Sequence, residues 1–171
     1  MKESLSVFQV APEILQGMKK GILLTTKVND KINTMTIGWG HLGIEWGKPI
    51  FIAYVRESRF TREMLDLHGE FTVNIPVGDV NTAVLRFCGC ESGRDTDKIS
   101  EMGLTLEEGE CVQVPGIREF PLTLECKVIY KQKQDLHEVP KSILNRFYSE
   151  QDTGNYHIAY YGEILNAYKI I

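Results

Sequence analysis

The sequence predicts a mainly β domain, a β-barrel decorated with short helices. Three observations carry this. From Asn33 to Gly40 (NTMTIGWG) the chain alternates strictly, as a strand does. Pro49 to Val55 (PIFIAYV) is a continuous apolar run of strand length. The strand-like segments, about six or seven in all, are not separated by regular long helices, which argues against a parallel doubly wound sheet.

Taken in order, Gly21 to Val28 (GILLTTKV) reads as the first strand and Asn29-Asp30 as a turn. Lys31 to Trp39 is then the second strand of a hairpin. Its residues Asn33, Met35, Ile37 and Trp39 point one way, and Thr34, Thr36, Gly38 and Gly40 the other. Pro49 to Val55 is a buried central strand. Ser58 is placed to cap a short helix running to about Leu67, which Gly69 ends. Glu70 to Ile75 (EFTVNI) is a strand stopped by Pro76. Val80 to Phe87 reads as a short helix and Asp95 to Met102 as a broken one. Leu122 to Lys131 and Tyr156 to Ile171 are long strands, the latter with a bulge or bend at Gly162.

With 171 residues, one domain spanning 1–171 is the natural expectation. The net charge of −4 gives no support to nucleic-acid binding and opposes an anionic membrane surface. No stretch reaches the roughly 20 apolar residues of a membrane span. The first residues, MKESLSVFQVAPEIL, lack the apolar run of a signal peptide, so a soluble cytoplasmic protein is expected. Cys88, Cys90, Cys111 and Cys126 then read as reduced, structural thiols. Cys88-Gly89-Cys90 is too tight for the usual zinc spacing, and no His, Asp, Glu and Cys set has ligand spacing, so no metal is expected. Neither a G-x-G-x-x-G opening a helix nor a G-x-S-x-G nucleophile motif is present.

The chemistry concentrates between Asn33 and Thr61. A Thr/Gly face carries no bulk and lets a flat ring lie close to the chain. Ser58-Arg59-Phe60-Thr61 is a hydroxyl- and Arg-rich helix start, where phosphate groups are readily held. A flat surface followed by a phosphate cradle points to a nucleotide-like cofactor. Each of these features also has a plain structural reading. The threonines are common strand residues. Ser58 serves as an N-cap, one of Arg56 and Arg59 is a solvated charge, and the two tryptophans, Trp39 and Trp46, are packing residues. Asn74 satisfies local backbone, and Asp95 and Lys98 form an i, i+3 pair.

Several motifs together resemble the flavin reductase-like, FMN-binding split-barrel family, and within it the flavoredoxin-like branch. They are Asn33-Thr34-Met35-Thr36, Trp46-Gly47-Lys48-Pro49, Val55-Arg56-Glu57-Ser58-Arg59-Phe60-Thr61 and Phe71-Thr72-Val73-Asn74-Ile75-Pro76. Gly93-Arg94-Asp95-Thr96-Asp97-Lys98 and Gly162-Glu163-Ile164 follow in similar order. The resemblance implies a homodimer with FMN at the subunit interface. It implies that Asn33, Thr34, Met35 and Thr36 lie along the isoalloxazine, with Trp39 near it, and that Arg56, Ser58, Arg59, Phe60 and Thr61 hold the phosphate and ribityl chain. Asn74 and Lys98 join as further cofactor contacts, and His157 approaches the nicotinamide side as the catalytic candidate. His41 follows the Thr/Gly face toward the site mouth.

The function this implies is reduction of flavin by NADH or NADPH, with electrons passed to free flavin or a partner redox protein. Two alternatives share the same motifs. One is a flavoredoxin-like electron carrier that does not use a nicotinamide. The other is a plain FMN-binding module.

Overall fold

The computed structural model describes residues 1–79, 81–149, 152 and 154–171. In chain order the elements are β1 (Lys2–Ser4), α1 (Val7–Lys20), β2 (Ile22–Val28), β3 (Lys31–Ile37), β4 (Gly40–Glu45), β5 (Lys48–Arg56) and α2 (Phe60–Leu67). They continue with β6 (Glu70–Ile75), α3 (Thr82–Cys90), α4 (Lys98–Glu101), β7 (Leu106–Glu107), β8 (Gly116–Ile117), β9 (Leu122–Lys133), α5 (Lys141–Phe147) and β10 (His157–Ile170).

The main sheet runs β3-β2-β6-β9-β10-β5-β4, with β1 added on β10. Every pairing in it is antiparallel. The chain passes from β3 into β4 through Gly38 and Trp39, yet these strands lie at opposite ends of the sheet path. The sheet therefore curls into a barrel that is open between them: a split barrel. Its core is formed by Ile14, Ile22, Leu24, Met35, Phe51, Val55, Phe71, Val73, Leu124 and Tyr160, among others. A second cluster lies on the other side of β2, where Leu23 meets Val84, Leu85 and Cys88 of α3 and Ile117 and Phe120. A sheet buried on both faces reads as apolar runs rather than alternation, as ILL in β2 does.

Two close approaches fix the register of the layers. A Cβ on Gly17 of α1 would come within 2.3 Å of Ile75 Cγ2, so α1 rests directly on β6. A Cβ on Gly162 would come within 2.4 Å of Phe71 Cζ, and the β9–β10 register shifts at this residue, so the expected bulge is present.

Several sequence expectations need correction. The second strand ends at Ile37, because Gly38 and Trp39 turn the chain into β4, which alternation alone did not reveal. Helix α1 was not anticipated; Pro12 lies inside it. Helix α5 was not anticipated either. Ser58 is not the N-cap of α2. Arg59 holds that position, and no side chain caps it. The helix ends at Leu67 with His68, not Gly69, as its C-cap. Helix α3 begins at Thr82 with Asn81 as its cap, while the expected start, Val80, lies outside the described residues. Among the described residues, no helix is long and apolar enough to cross a membrane.

Candidate functional site

The split leaves β3 with one free edge. In an antiparallel sheet every second residue of an end strand has its N–H and C=O unpaired. The Thr34 carbonyl is one of these groups, and Lys98 Nζ donates to it at 2.9 Å and to the Cys88 carbonyl at 3.0 Å. Lys98 is thereby buried beneath the edge. Burial pulls its ammonium below the ordinary lysine range, and nearby Arg59 pushes the same way. Burial likewise pushes the Cys88 thiol up, with Lys98 pulling against it.

Two adjoining cavities follow this edge. The larger, about 210 Å³, lies between β3 and the ends of β5 and β10, lined by Met35, Thr36, Ile37, Gly38, Trp39, Tyr54, Arg56, Arg59 and His157. The smaller, about 120 Å³, lies at the head of α2, where Asn33, Met35 and Ser58 to Thr61 face Glu91, Ser92, Gly93, Arg94 and Lys98. Met35 and Arg59 line both.

The small cavity gathers groups able to hold an anion. Helix α2 begins at Phe60, and among the described residues the N–H groups of Phe60 and Thr61 have no backbone partner, as expected of a first turn. The Arg59 guanidinium makes no hydrogen bond or ion pair among the described residues and lines both cavities. Arg94 donates to the Ser58 carbonyl at 3.3 Å and pairs with Glu63, while its guanidinium lies over the Phe60 ring. Asn33 Nδ2 donates to Thr61 Oγ1 at 2.9 Å, and Asn33 Oδ1 is buried with no partner. Whichever way the amide is turned, one of its polar atoms is left without a partner among the described residues. A Cβ on Gly93 would lie 2.0 Å from Asn33 Oδ1, so this corner tolerates no side chain.

The large cavity has aromatic walls. Trp39 packs edge-on against Phe147 at 5.3 Å and tilted against His157 at 4.9 Å. The Tyr148 hydroxyl and His157 Nδ1 are 2.8 Å apart. Burial lowers the His157 pKa to about 4, reinforced by the charges of Arg56 and Arg59, so the ring is neutral near pH 7.

Most of the residues singled out in the sequence thus line one cavity or the other, but several do so differently from expectation. The Thr34 side chain points away from the barrel core, on the face opposite Met35, bonding Thr25 Oγ1 at 3.1 Å and the Leu24 carbonyl at 3.3 Å, so only its backbone meets the edge. Thr36 Oγ1 donates to the Leu85 carbonyl at 2.6 Å and is tied to α3. The bare surface is Gly38, where a Cβ would meet nothing within 4 Å. Asn74 is outside the site altogether. It is fully buried, donating to Thr25 and Thr72 and accepting from Ile117 N–H and Thr123, as a polar group with no route to water must. Arg56 lines the large cavity and not the basic one; its guanidinium is taken by Asp152, the Phe147 carbonyl and the Tyr148 ring. Lys98 has its ammonium committed to two carbonyls. Sequence reasoning missed Tyr54 as a lining residue, although it shares a strand face with Arg56, and it missed the contact chemistry of Gly93 and Arg94, which chain folding alone brings to Asn33. Among the described residues, no three His, Cys, Asp or Glu side chains converge as metal ligands.

An anion pocket with a turn of free amides, opening into a flat, aromatic-walled slot, suits a planar ligand that carries a phosphate. Comparisons with known proteins agree with the architecture. An uncharacterized protein of Archaeoglobus fulgidus is 28% identical over 137 residues, which are 80% of this chain and 65% of that protein. The chain thus spans less than two thirds of that relative. Among solved structures, flavoredoxin from Methanosarcina acetivorans superimposes with a TM-score of 0.65 at 28% identity, over 88% of this chain and 68% of that one. The NADH:FAD oxidoreductase SgcE6 of Streptomyces globisporus C-1027 gives 0.66 at 14% identity, over 88% and 74%, and shares the fold. Residues 17–168 match the Flavin reductase like domain, and the chain belongs to that family.

Proposed function

We propose that the cleft binds FMN and that the protein is an NAD(P)H-dependent flavin oxidoreductase passing electrons to free flavin or to a redox partner protein, with a homodimer as the working unit. The observation that carries this reading is Arg59. Its guanidinium, unpaired among the described residues, lines both the small pocket at the head of α2 and the slot along the free strand edge. Arg59, Arg94 and the α2 amides hold the phosphate. Asn33 lines the same pocket, and the free edge of β3 offers backbone donors and acceptors to the ring. FMN held there would supply a two-electron centre able to take up hydride from a nicotinamide. The chain's own task is orientation. Trp39 and His157 form the outer wall against which a nicotinamide rests, and a neutral His157 does not repel the cationic nicotinamide product.

A second reading is favoured by the 28% identity to a flavoredoxin. In it the same FMN exchanges electrons with redox proteins only. Anaerobic mixing with NADH and NADPH separates the two. Bleaching of bound FMN by either nucleotide, followed by reduction of added flavin, is the expected result. No bleaching by either, with reduction by a reduced ferredoxin, would leave the carrier reading in its place.

A further inference from the structure

Beyond the ring slot the cleft continues into a third cavity of about 380 Å³, lined by Gly38, Trp39, Gly40, His41, Tyr54 and Gln134. Gly38, Trp39 and Tyr54 also line the ring slot, so the two spaces are one groove. Its geometry is that of a slot for a second flat molecule. One wall is the bare backbone of Gly38, where a side chain would find open space. Trp39 lines the slot as well, with its ring fixed by Phe147 and His157. The polar groups of the slot are specific. The Tyr54 hydroxyl and His41 Nδ1 are 2.9 Å apart. When Nδ1 carries the imidazole proton it donates to the phenol oxygen, and the phenol proton is released to a ligand. Burial holds the Tyr54 phenol above its ordinary range, so it stays a donor. Gln134 accepts from Tyr148 through Oε1 at 3.4 Å, which leaves its amide N–H groups for a second ligand oxygen.

We propose that this cavity is a second-ligand subsite for a planar carbonyl compound of the quinone class, whose oxygen accepts a hydrogen bond from the Tyr54 hydroxyl. The assignment rests on the flavin reading only in identifying such a compound as an electron acceptor; the binding itself belongs to Trp39, Gly38, Tyr54 and Gln134. Fixed donors select a ligand with an oxygen at its rim and disfavour a hydrocarbon of the same shape, because a phenol that the ligand covers and leaves unpaired costs free energy. His41 acts as a positioning residue by fixing the rotamer of the phenol.

The test is calorimetric titration with anthraquinone-2-sulfonate, a planar quinone that has no free ring position through which to alkylate the exposed Cys90 and Cys111. It is run on the protein with and without FMN, and FMN affinity is measured separately. Saturable binding of the probe to the FMN-free protein is expected, weakened about five- to tenfold in Tyr54→Phe by loss of one hydrogen bond. His41→Gln, whose amide still pairs with the phenol, is expected to stay near wild type, whereas His41→Ala, outside the ring slot, weakens the probe and keeps FMN affinity. Equal probe affinity in wild type and Tyr54→Phe overturns the proposal, as does parallel loss of FMN and probe in His41→Ala. Failure of wild type to bind FMN would instead overturn the flavin reading, and Tyr54-dependent probe binding would still decide the subsite.

Discussion

Arg56 and Arg59 flank the same turn and hold different things. Arg56 ties β5 to the segment after α5, through Asp152 and the Phe147 carbonyl. The Arg59 guanidinium has no partner among the described residues and lines both cavities. Arg59→Ala is therefore expected to weaken FMN by about 1.5–3 kcal/mol, the usual loss for a hydrogen bond to a charged group, while riboflavin, lacking the phosphate, loses little. Arg56→Ala should affect both flavins alike. Fluorescence titration with the two ligands checks this, and equal losses for Arg59→Ala would place the phosphate elsewhere. His157 gives a pH prediction. Its folded pKa of about 4 lies below the unfolded 6.5, so between these values the unfolded chain binds the extra proton. Stability should therefore fall as pH drops from about 6.5 toward 4, by up to ~3 kcal/mol, and should not change on this account above 6.5. Denaturation of wild type against His157→Gln at pH 7.5 and 4.5 isolates the effect. A difference between the two proteins that does not change with pH would show that the ring protonates freely in the fold.

At the scale of elements, the site depends on how β3 is held from behind. Lys98 of α4 fastens the edge by its bond to the Thr34 carbonyl, and Gly93 lets the preceding loop touch Asn33. Lys98→Met leaves the Thr34 and Cys88 carbonyls without their donor and should cost about 1–3 kcal/mol of stability by urea denaturation. Gly93→Ala drives a methyl into the Asn33 amide, and FMN affinity should fall together with stability. Retention of both would mean the loop simply moves aside. These elements differ in how legible they are. Alternation and apolar runs reveal β2, β3, β5, β6, β9 and β10, because their side chains divide between layers with period two. Strand β4 stays hidden because GHLGIE is an exposed edge with little apolar content. Helix α1 is masked by Pro12, a residue that ordinarily ends a helical pattern. For the site, the head of α2 is readable from its local hydroxyl and arginine run. The assignment of faces is not, since both faces of β3 and β6 are covered. Period two says that Thr34 opposes Met35, and not that α3 and α4 occupy the Thr side, or that Asn74 is enclosed by β8 and β9. Tyr54 and Gly93 enter the site only through contacts made across the fold.

At the scale of the whole molecule, one surface remains unexplained by the single chain. Trp46, in the β4–β5 turn, is 59% exposed, and it packs edge-on to Tyr130 of β9, which in turn packs on Tyr161 of β10. Ile44 and Ile129 are also exposed. Scattered apolar residues on a surface are ordinary, but three aromatic rings packed edge-on on an exposed face form a group of the kind that marks an interface. The occupant most consistent with the proposed function is a second copy of this chain. Strands β4 and β5 carry both the patch and, through His41 and Tyr54, the mouth of the cleft, so a partner seated on Trp46 would also border the ligand groove. The net charge of −4 is small enough that like-charge repulsion between two copies is easily offset by apolar burial, about 25 cal/mol per Å². Stable homodimers commonly bury 2,000 Å² or more in total, on the order of ten times one aromatic side chain, so the patch would be the centre of the contact and not its whole extent. Analytical ultracentrifugation at micromolar concentration is expected to give a dimer for wild type and a monomer for Trp46→Lys, which places a charge at the centre. FMN affinity measured on the monomeric variant should fall with the loss of the partner's wall. A wild-type monomer that binds FMN would remove the dimer from the proposal. A Trp46→Lys dimer would move the interface to another face, and a monomeric variant with undiminished FMN affinity would show that one chain completes the site.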